Sequence, residues 1–273
     1  MKYTKQSIKY ILKNFFYIFP FVILPAFFLS LSVDEGAIIE VVGGAFKGEL
    51  ADWTFNNIFR AVSVLNFGSW RSVLFGIVGI IVMIPCVALL LALLEKHFRI
   101  GKRTFNGIWS KLNDNIISTG GYVLLILLIY ELWALLLSAV LYLLSLVTVK
   151  VFAYILVGVF LLAFHIVLVY VISAIYLWLP CMQITGFRAY EALHYSYQLV
   201  TPIKWKLLTV QLLSVIVVET LISLCAIFLP FTLIFTILTT VLYAALLMVY
   251  CVRMQIAYFD RDQIERADLN RFY

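Results

Sequence analysis

The sequence is poor in charge. Aspartate, glutamate, lysine and arginine together make up 12% of its 273 residues, whereas hydrophobic residues make up 64%. A soluble domain is about half apolar and about a quarter charged, so this chain has too little polar surface to cover a water-soluble fold. No stretch is both long enough and polar enough to bury a separate soluble core. We therefore expect a single integral membrane domain over residues 1–273.

Signatures of catalysis and of metal binding are also missing. The sequence has no glycine-rich phosphate loop and no HExxH, GxSxG or paired-aspartate motif. Its four cysteines lie in or at the edge of apolar runs without CxxC or Cys/His spacing, which favours packing residues over a disulfide framework or a zinc site. We expect no cofactor, no metal and no catalytic residue. This absence is weaker evidence in a membrane protein, because intramembrane enzymes scatter their catalytic residues over several helices.

Long apolar runs are what the sequence has in abundance. A helix needs about 20 apolar residues to cross a bilayer core. Six runs reach this length, at residues 14–33, 72–94, 117–147, 151–179, 207–229 and 231–252. The predicted fold class is an all-α polytopic transmembrane helix bundle of about six spans. Only Pro230 separates the last two runs, so a tight hairpin is expected there.

Positive charge is distributed unevenly over the connections. The twenty Lys and Arg residues divide sixteen to four between the two sides, with the four in residues 34–71 and at position 150. Positive charge marks the cytoplasmic side, which places both chain ends in the cytoplasm. The net charge of +6 therefore reflects membrane orientation and not a nucleic-acid partner, because the basic residues flank apolar runs and form no stripe. The first run also has the form of a signal peptide, but its full spanning length favours a retained helix.

Amphipathic segments precede three of the spans, at residues 3–13, 103–113 and 188–199. Each mixes apolar residues at helical spacing with basic or amide residues, a pattern typical of cytoplasmic helices that lie in the headgroup region. The expected interfacial anchors are Trp109, Lys111, Lys204, Trp205 and Lys206.

Residues 34–71 form the only sizeable external loop. It combines five acidic residues with an apolar patch and several aromatic residues. Aromatic residues near a span boundary usually lie in the interfacial belt, which favours an amphipathic element on the outer leaflet. The alternative is a lid or a partner-binding surface.

Three titratable residues lie inside the spans. Glu131, His165 and Glu219 each lie roughly 20 Å from the cytoplasmic end of their run at 1.5 Å per residue, so they can meet if the third, fourth and fifth spans are neighbours. Ionisable groups within a bilayer are costly and usually face the bundle interior. They define a hypothetical ligand or proton site. The alternative is that each hydrogen-bonds a neighbouring helix and serves packing alone.

A resemblance is found at the start of the fifth span. The stretch from Tyr190 to Leu199, YEALHYSYQL, and the Lys204-Trp205-Lys206 that follows resemble poorly characterised bacterial six-span families, in which an E-A-L-x-x-S-x-x-L helix precedes a span. One relative is the membrane domain of some glycerophosphodiester phosphodiesterases. The ending AYFD at 257–260 is similar to the tails of such proteins. The resemblance implies a bacterial inner-membrane protein concerned with the cell envelope or with lipids, and carries over no catalytic residue.

Three functions follow as hypotheses. The first is a non-enzymatic multi-pass protein in envelope homeostasis, with the lipid bilayer, other envelope proteins or a second copy as partner. The second is a small transporter or channel subunit that uses Glu131, His165 and Glu219. The third is an intramembrane lipid-modifying enzyme.

Overall fold

The computed structural model describes residues 2–101, 103–229 and 231–269, without the side-chain surroundings of residues 51 and 264–269. Over these ranges the chain is helical and contains no strand. The α-helices in the described ranges are α1 (Lys2–Ser32), α2 (Glu35–Ile38), α3 (Gly44–Lys47), α4 (Phe55–Val62), α5 (Trp70–Ile100), α6 (Ile108–Ser145), α7 (Lys150–Ala174), α8 (Trp178–Thr185), α9 (Ala189–Val200), α10 (Lys204–Phe228) and α11 (Thr232–Leu269).

Six helical stretches are long and apolar enough to cross a membrane. They are α1, α5, α6, α7 continued by α8, α9 continued by α10, and α11. The all-α fold class with six spans is thereby confirmed. Pro230, on which the expected hairpin depends, lies outside the described residues.

The long helices are arranged as a ring. Helix α1 packs along α11 and α5, α5 packs on α6, α6 on α7, α7 on α10, and α10 returns to α11. Helices α1 and α11 run antiparallel, because Lys2 pairs with Asp260 at 2.8 Å and Ser30 bonds Thr240 at 2.7 Å near the opposite end. We call the end of the bundle that carries residues 33–69 the loop end and the opposite end the basic end.

The three amphipathic segments behave differently. The first is helical from Lys2 but is separated from the span by a kink at Asn14, whose backbone is non-helical (φ −124°, ψ 23°). The third forms the separate helix α9. The second is not a separate helix, because residues 103–107 are non-helical and α6 begins only at Ile108. From Ile108 onward the helix contains no proline, and the pair Gly120-Gly121 does not interrupt it. The rest of the segment and the span therefore form one continuous helix that ends at Ser145.

Residues 33–69, called the loop below, fold onto the bundle. Asp34 caps α2 by accepting the N–H of Ala37 at 3.0 Å, and Thr54 caps α4. Ile58 is fully buried and belongs to an apolar cluster with residues of α6 and α7. The α2 residue Ile38 packs in a second cluster with Ile222 of α10. Ile38, Trp53 and Ile58 thus lie against the bundle, whereas Ile39, Phe55 and Phe67 stay exposed. The position of the loop on the outer leaflet stays a prediction.

Candidate functional site

His165 of α7 and Glu219 of α10 form a hydrogen-bonded pair between two neighbouring helices. The Nε2 atom of His165 lies 2.7 Å from Oε2 of Glu219. The His165 side chain is buried, at 7% exposure, whereas the Glu219 side chain remains 40% exposed. Among the described residues, Oε1 of Glu219 has no hydrogen-bond partner. One carboxylate oxygen is therefore held and the other is available.

The second ring nitrogen of His165 determines where protons lie in this pair. Nδ1 lies 2.7 Å from the carbonyl oxygen of Leu161, and because a carbonyl only accepts, Nδ1 must carry a hydrogen. The contact between Nε2 and Glu219 then contains one further proton, held either by the imidazole or by the carboxyl group. Both arrangements leave the pair with no net charge, which lowers the cost of placing it between membrane-spanning helices.

Aromatic residues of α6 and α11 surround the pair. Trp133 meets the His165 ring edge-on, with ring centroids 5.0 Å apart, and its Nε1 donates to the Phe164 carbonyl at 2.9 Å. Tyr130 of α6 and Tyr243 of α11 both interact electrostatically with Glu219. Four helices, α6, α7, α10 and α11, therefore contribute to one polar region inside the ring.

Glu131 lies about as far from the α6–α7 turn as His165 does, but its carboxylate binds the loop and not the His165–Glu219 pair. Its carboxylate accepts from the Ser63 hydroxyl at 2.7 Å and from the backbone N–H groups of Val64 and Leu65 at 2.9 and 3.0 Å. Its neighbour Tyr130 donates to the Val62 carbonyl at 2.9 Å. The structure thus brings two of the three hypothetical site residues together and directs the third to the end of α4.

The depth of Glu131 differs from the distance counted along the sequence. That count began at residue 117, whereas α6 begins at Ile108, so Glu131 lies roughly 34 Å from the start of its helix. It lies about 21 Å from the end of α6, and His165 about 22 Å from the start of α7. Glu131 and His165 therefore do lie at a similar depth in the bundle. The reason is that both lie at about the same distance from the α6–α7 turn at the loop end.

The loop is held at a second point by an ion pair. Nε and Nη2 of Arg60 donate to Oδ2 of Asp34 at 2.9 and 2.6 Å. Burial acts to raise the pKa of Asp34, but the Ala37 N–H and the Arg60 guanidinium outweigh it, so that this pKa lies below its usual value. The carboxylate is therefore charged at neutral pH and fixes the start of the loop to α4.

The expected interfacial anchors all lie at the basic end. Trp109 and Trp205 are largely exposed, and Lys206 is exposed as well. Lys204 donates to the Tyr170 hydroxyl at 2.6 Å, and Lys111 lies 3.4 Å from Glu95.

Two buried charges at the basic end escaped the sequence analysis. Glu95 of α5 is 4% exposed and lies 3.3 Å from Arg99. Arg253 of α11 is 3% exposed, although it was counted among the flanking charges. Apolar Met254 and Ala257 follow Arg253, and this continuation of the apolar pattern was the available signal that the helix stays buried.

The fold and this site define a multi-pass helical membrane protein with an internal acid–imidazole pair. Within the described ranges, no group of three or more His, Cys, Asp or Glu side chains is arranged to hold a metal ion. Comparisons with known protein families, with curated proteins and with solved structures give no match. The chemistry of the site therefore has to be argued from its own residues.

Proposed function

We propose that this chain is a small transporter or channel subunit in which His165 and Glu219 bind and pass a proton. The observation that carries the proposal is the 2.7 Å contact between Nε2 and Oε2, combined with a carboxylate that keeps its other oxygen free. Such a pair can accept a proton on Oε1 and release it again from Oε1, while the shared proton stays between Nε2 and Oε2. Glu131, in contrast, accepts hydrogen bonds on both of its oxygens.

The ring of helices supports a transport role. Glu219 faces side chains from α6, α7 and α11, so that its charge lies toward the interior of the bundle and not on an isolated helix. Ionisable groups in this position mark ion pathways and proton relays in membrane proteins. The loop packs over the same end of the ring, which gives the site a cover on one side.

The charge asymmetry supports an orientation for this role. With sixteen of twenty Lys and Arg residues on one side, the basic end faces the cytoplasm and the loop end faces outward. The cover then lies on the external side of a bacterial cytoplasmic membrane, and both chain ends lie inside.

Proton flux in proteoliposomes tests the proposal. An entrapped pH-sensitive dye reports flux when a potential is imposed, and wild-type protein is expected to exceed empty vesicles. Glu219→Gln keeps a hydrogen bond to His165 but cannot titrate, and it is expected to abolish the flux. Glu131→Gln is the matched control, because it removes an acid at a similar level whose oxygens the loop already occupies. Wild-type flux equal to that of empty vesicles, or full flux in Glu219→Gln, overturns the proposal.

The role as a membrane partner of another envelope protein stays a prediction. Helix α7 exposes apolar side chains over much of its circumference, and lipid contact requires the same chemistry. The lipid-modifying enzyme stays a prediction in the same sense, because no described feature supports it beyond the acid–imidazole pair itself.

A further inference from the structure

Arg253 is a buried cation that pairs with no carboxylate among the described residues. Its side chain lies in the part of α11 near the basic end, and no Asp or Glu among the described residues lies within 4.0 Å of it. Within the part of the chain that the structure describes, its one hydrogen bond joins Nε to the Tyr176 hydroxyl at 3.1 Å, and Nη1 has none. Arginine stays protonated in proteins, so this charge cannot be removed by titration. A guanidinium that is desolvated and unpaired is strongly unfavourable.

The acids of its own helix are too far away to supply the missing charge. Asp260 and Asp262 lie seven and nine residues further along α11, which places them roughly 10 Å and 13 Å away along the axis. Asp260 is engaged by Lys2 and Tyr3, and Asp262 accepts from the Tyr195 hydroxyl at 2.8 Å. An anion from outside the chain is the simplest group that balances the charge of Arg253 and accepts hydrogen bonds from its guanidinium.

A second buried donor without a partner among the described residues is bonded to the same end of α7. Gln211 of α10 receives the Ser173 hydroxyl on Oε1 at 2.8 Å, and its Nε2 has no partner. Gln211 is bonded to Ser173, and Arg253 is bonded to Tyr176. Ser173 and Tyr176 are three residues apart at the end of α7. Both orphaned groups are N–H donors, and an oxyanion is the ligand that satisfies N–H donors.

The aromatic residues next to Arg253 suit such a site. Tyr176 lies with its ring 5.7 Å from the guanidinium carbon and 5.0 Å from the Tyr250 ring. The Tyr122 and Tyr250 hydroxyls bond each other at 2.6 Å. The Tyr176 hydroxyl also donates to the Tyr250 carbonyl at 3.0 Å, so it holds the guanidinium in place and leaves the remaining Arg253 N–H groups for a ligand, and none of the groups named here is acidic.

We propose that Arg253, with Tyr176, forms a binding site for an oxyanion, specifically a phosphate group. A planar guanidinium presents a fork of N–H donors that matches phosphate oxygens. The site lies about 31 Å along α11 from Thr232, near the depth of lipid phosphates at the basic end. The phosphate therefore comes either from a phospholipid headgroup or from a soluble anion. The site is independent of the proton pair, and neither proposal requires the other.

Thermal unfolding of delipidated full-length protein in a maltoside detergent, which contains no phosphate, tests the site. Inorganic phosphate is added in one arm and phosphatidylglycerol in the other, with chloride at matched ionic strength as the reference. At least one of the two is expected to raise the wild-type unfolding temperature. A shift with inorganic phosphate identifies a soluble anion, and a shift with phosphatidylglycerol alone identifies the lipid. No shift in either arm overturns the proposal.

Variants separate this site from general charge effects. Arg253→Gln is expected to lose the ligand-induced shift and, without phosphate, to unfold at a higher temperature than wild type, because an unpaired buried charge has been removed. Lys206→Gln removes a charge from an exposed position at the same end and is expected to keep the shift. Should Arg253→Gln fail to fold, Arg253→Lys keeps the charge without the fork and is expected to need a several-fold higher phosphate concentration. A full shift in Arg253→Gln, or unchanged phosphate dependence in Arg253→Lys, contradicts the assignment.

Discussion

Replacing Glu131 with alanine is expected to release the loop from the bundle. The substitution leaves three donors without an acceptor: the Ser63 hydroxyl and the N–H groups of Val64 and Leu65. A buried donor without a partner costs about 1–3 kcal/mol. At the lower end of that range, three donors weaken loop docking by about 3 kcal/mol. Glu131→Gln keeps an oxygen for the two N–H groups, and its amide can donate to Ser63, so docking is expected to change little.

Hydrogen exchange measures this docking directly. A loss of about 3 kcal/mol corresponds to roughly a hundredfold faster exchange at Val64 and Leu65 if they exchange by local opening. Exchange in the middle of α5 is expected to stay unchanged, which separates loop release from global unfolding. Equal protection of Val64 and Leu65 in wild type and Glu131→Ala would show that apolar packing of α4, and not the carboxylate, holds the loop.

Two further predictions concern the same part of the molecule. A Cβ atom at Gly76 would lie 2.8 Å from the backbone oxygen of Val64, so Gly76→Ala is expected to destabilise the protein by about 1–3 kcal/mol, whereas Gly121→Ala meets nothing within 4 Å and is expected to be neutral or stabilising in thermal unfolding. Because the pKa of Asp34 is lowered in the folded protein, its stabilising effect is present above its ordinary pKa and is lost as the pH falls through the folded value. Unfolding temperatures measured downward from about pH 5 should therefore fall more steeply in wild type than in Asp34→Asn, and parallel curves would contradict this.

The number of spans followed from the sequence because its cause is local. A helix that crosses a bilayer must be apolar over its own length, and that property can be counted without knowing its neighbours. The ends of the helices were harder to predict from the sequence. Helix α6 begins at Ile108 and not at residue 117, because residues 108–116 contain no proline or glycine that would interrupt a helix. Polar residues limit which part of a helix lies in lipid, but they do not determine where the helix begins or ends.

The site was accessible from the sequence only in part. Inside a span an ionisable residue is conspicuous, so Glu131, His165 and Glu219 stood out together. Their partners could not be found in this way. The loop that meets Glu131 lies about 67 residues away along the chain, and two of its three donors are backbone N–H groups, which every residue except proline has. A hydrogen bond from a backbone N–H group cannot be predicted from the residue type at that position.

The contrast between Glu131 and Glu219 gives a physical criterion for separating a structural acid from a reactive one. Both are carboxylates on membrane-spanning helices, and sequence position alone assigns them the same role. Glu131 accepts three hydrogen bonds on its two oxygens, which leaves one acceptor position. Glu219 has one oxygen on His165 and the other free, so a proton can be added without breaking a contact. The number of hydrogen bonds that each carboxylate accepts, more than its depth in the membrane, therefore separates the acid that holds the loop from the acid that we propose as a proton site.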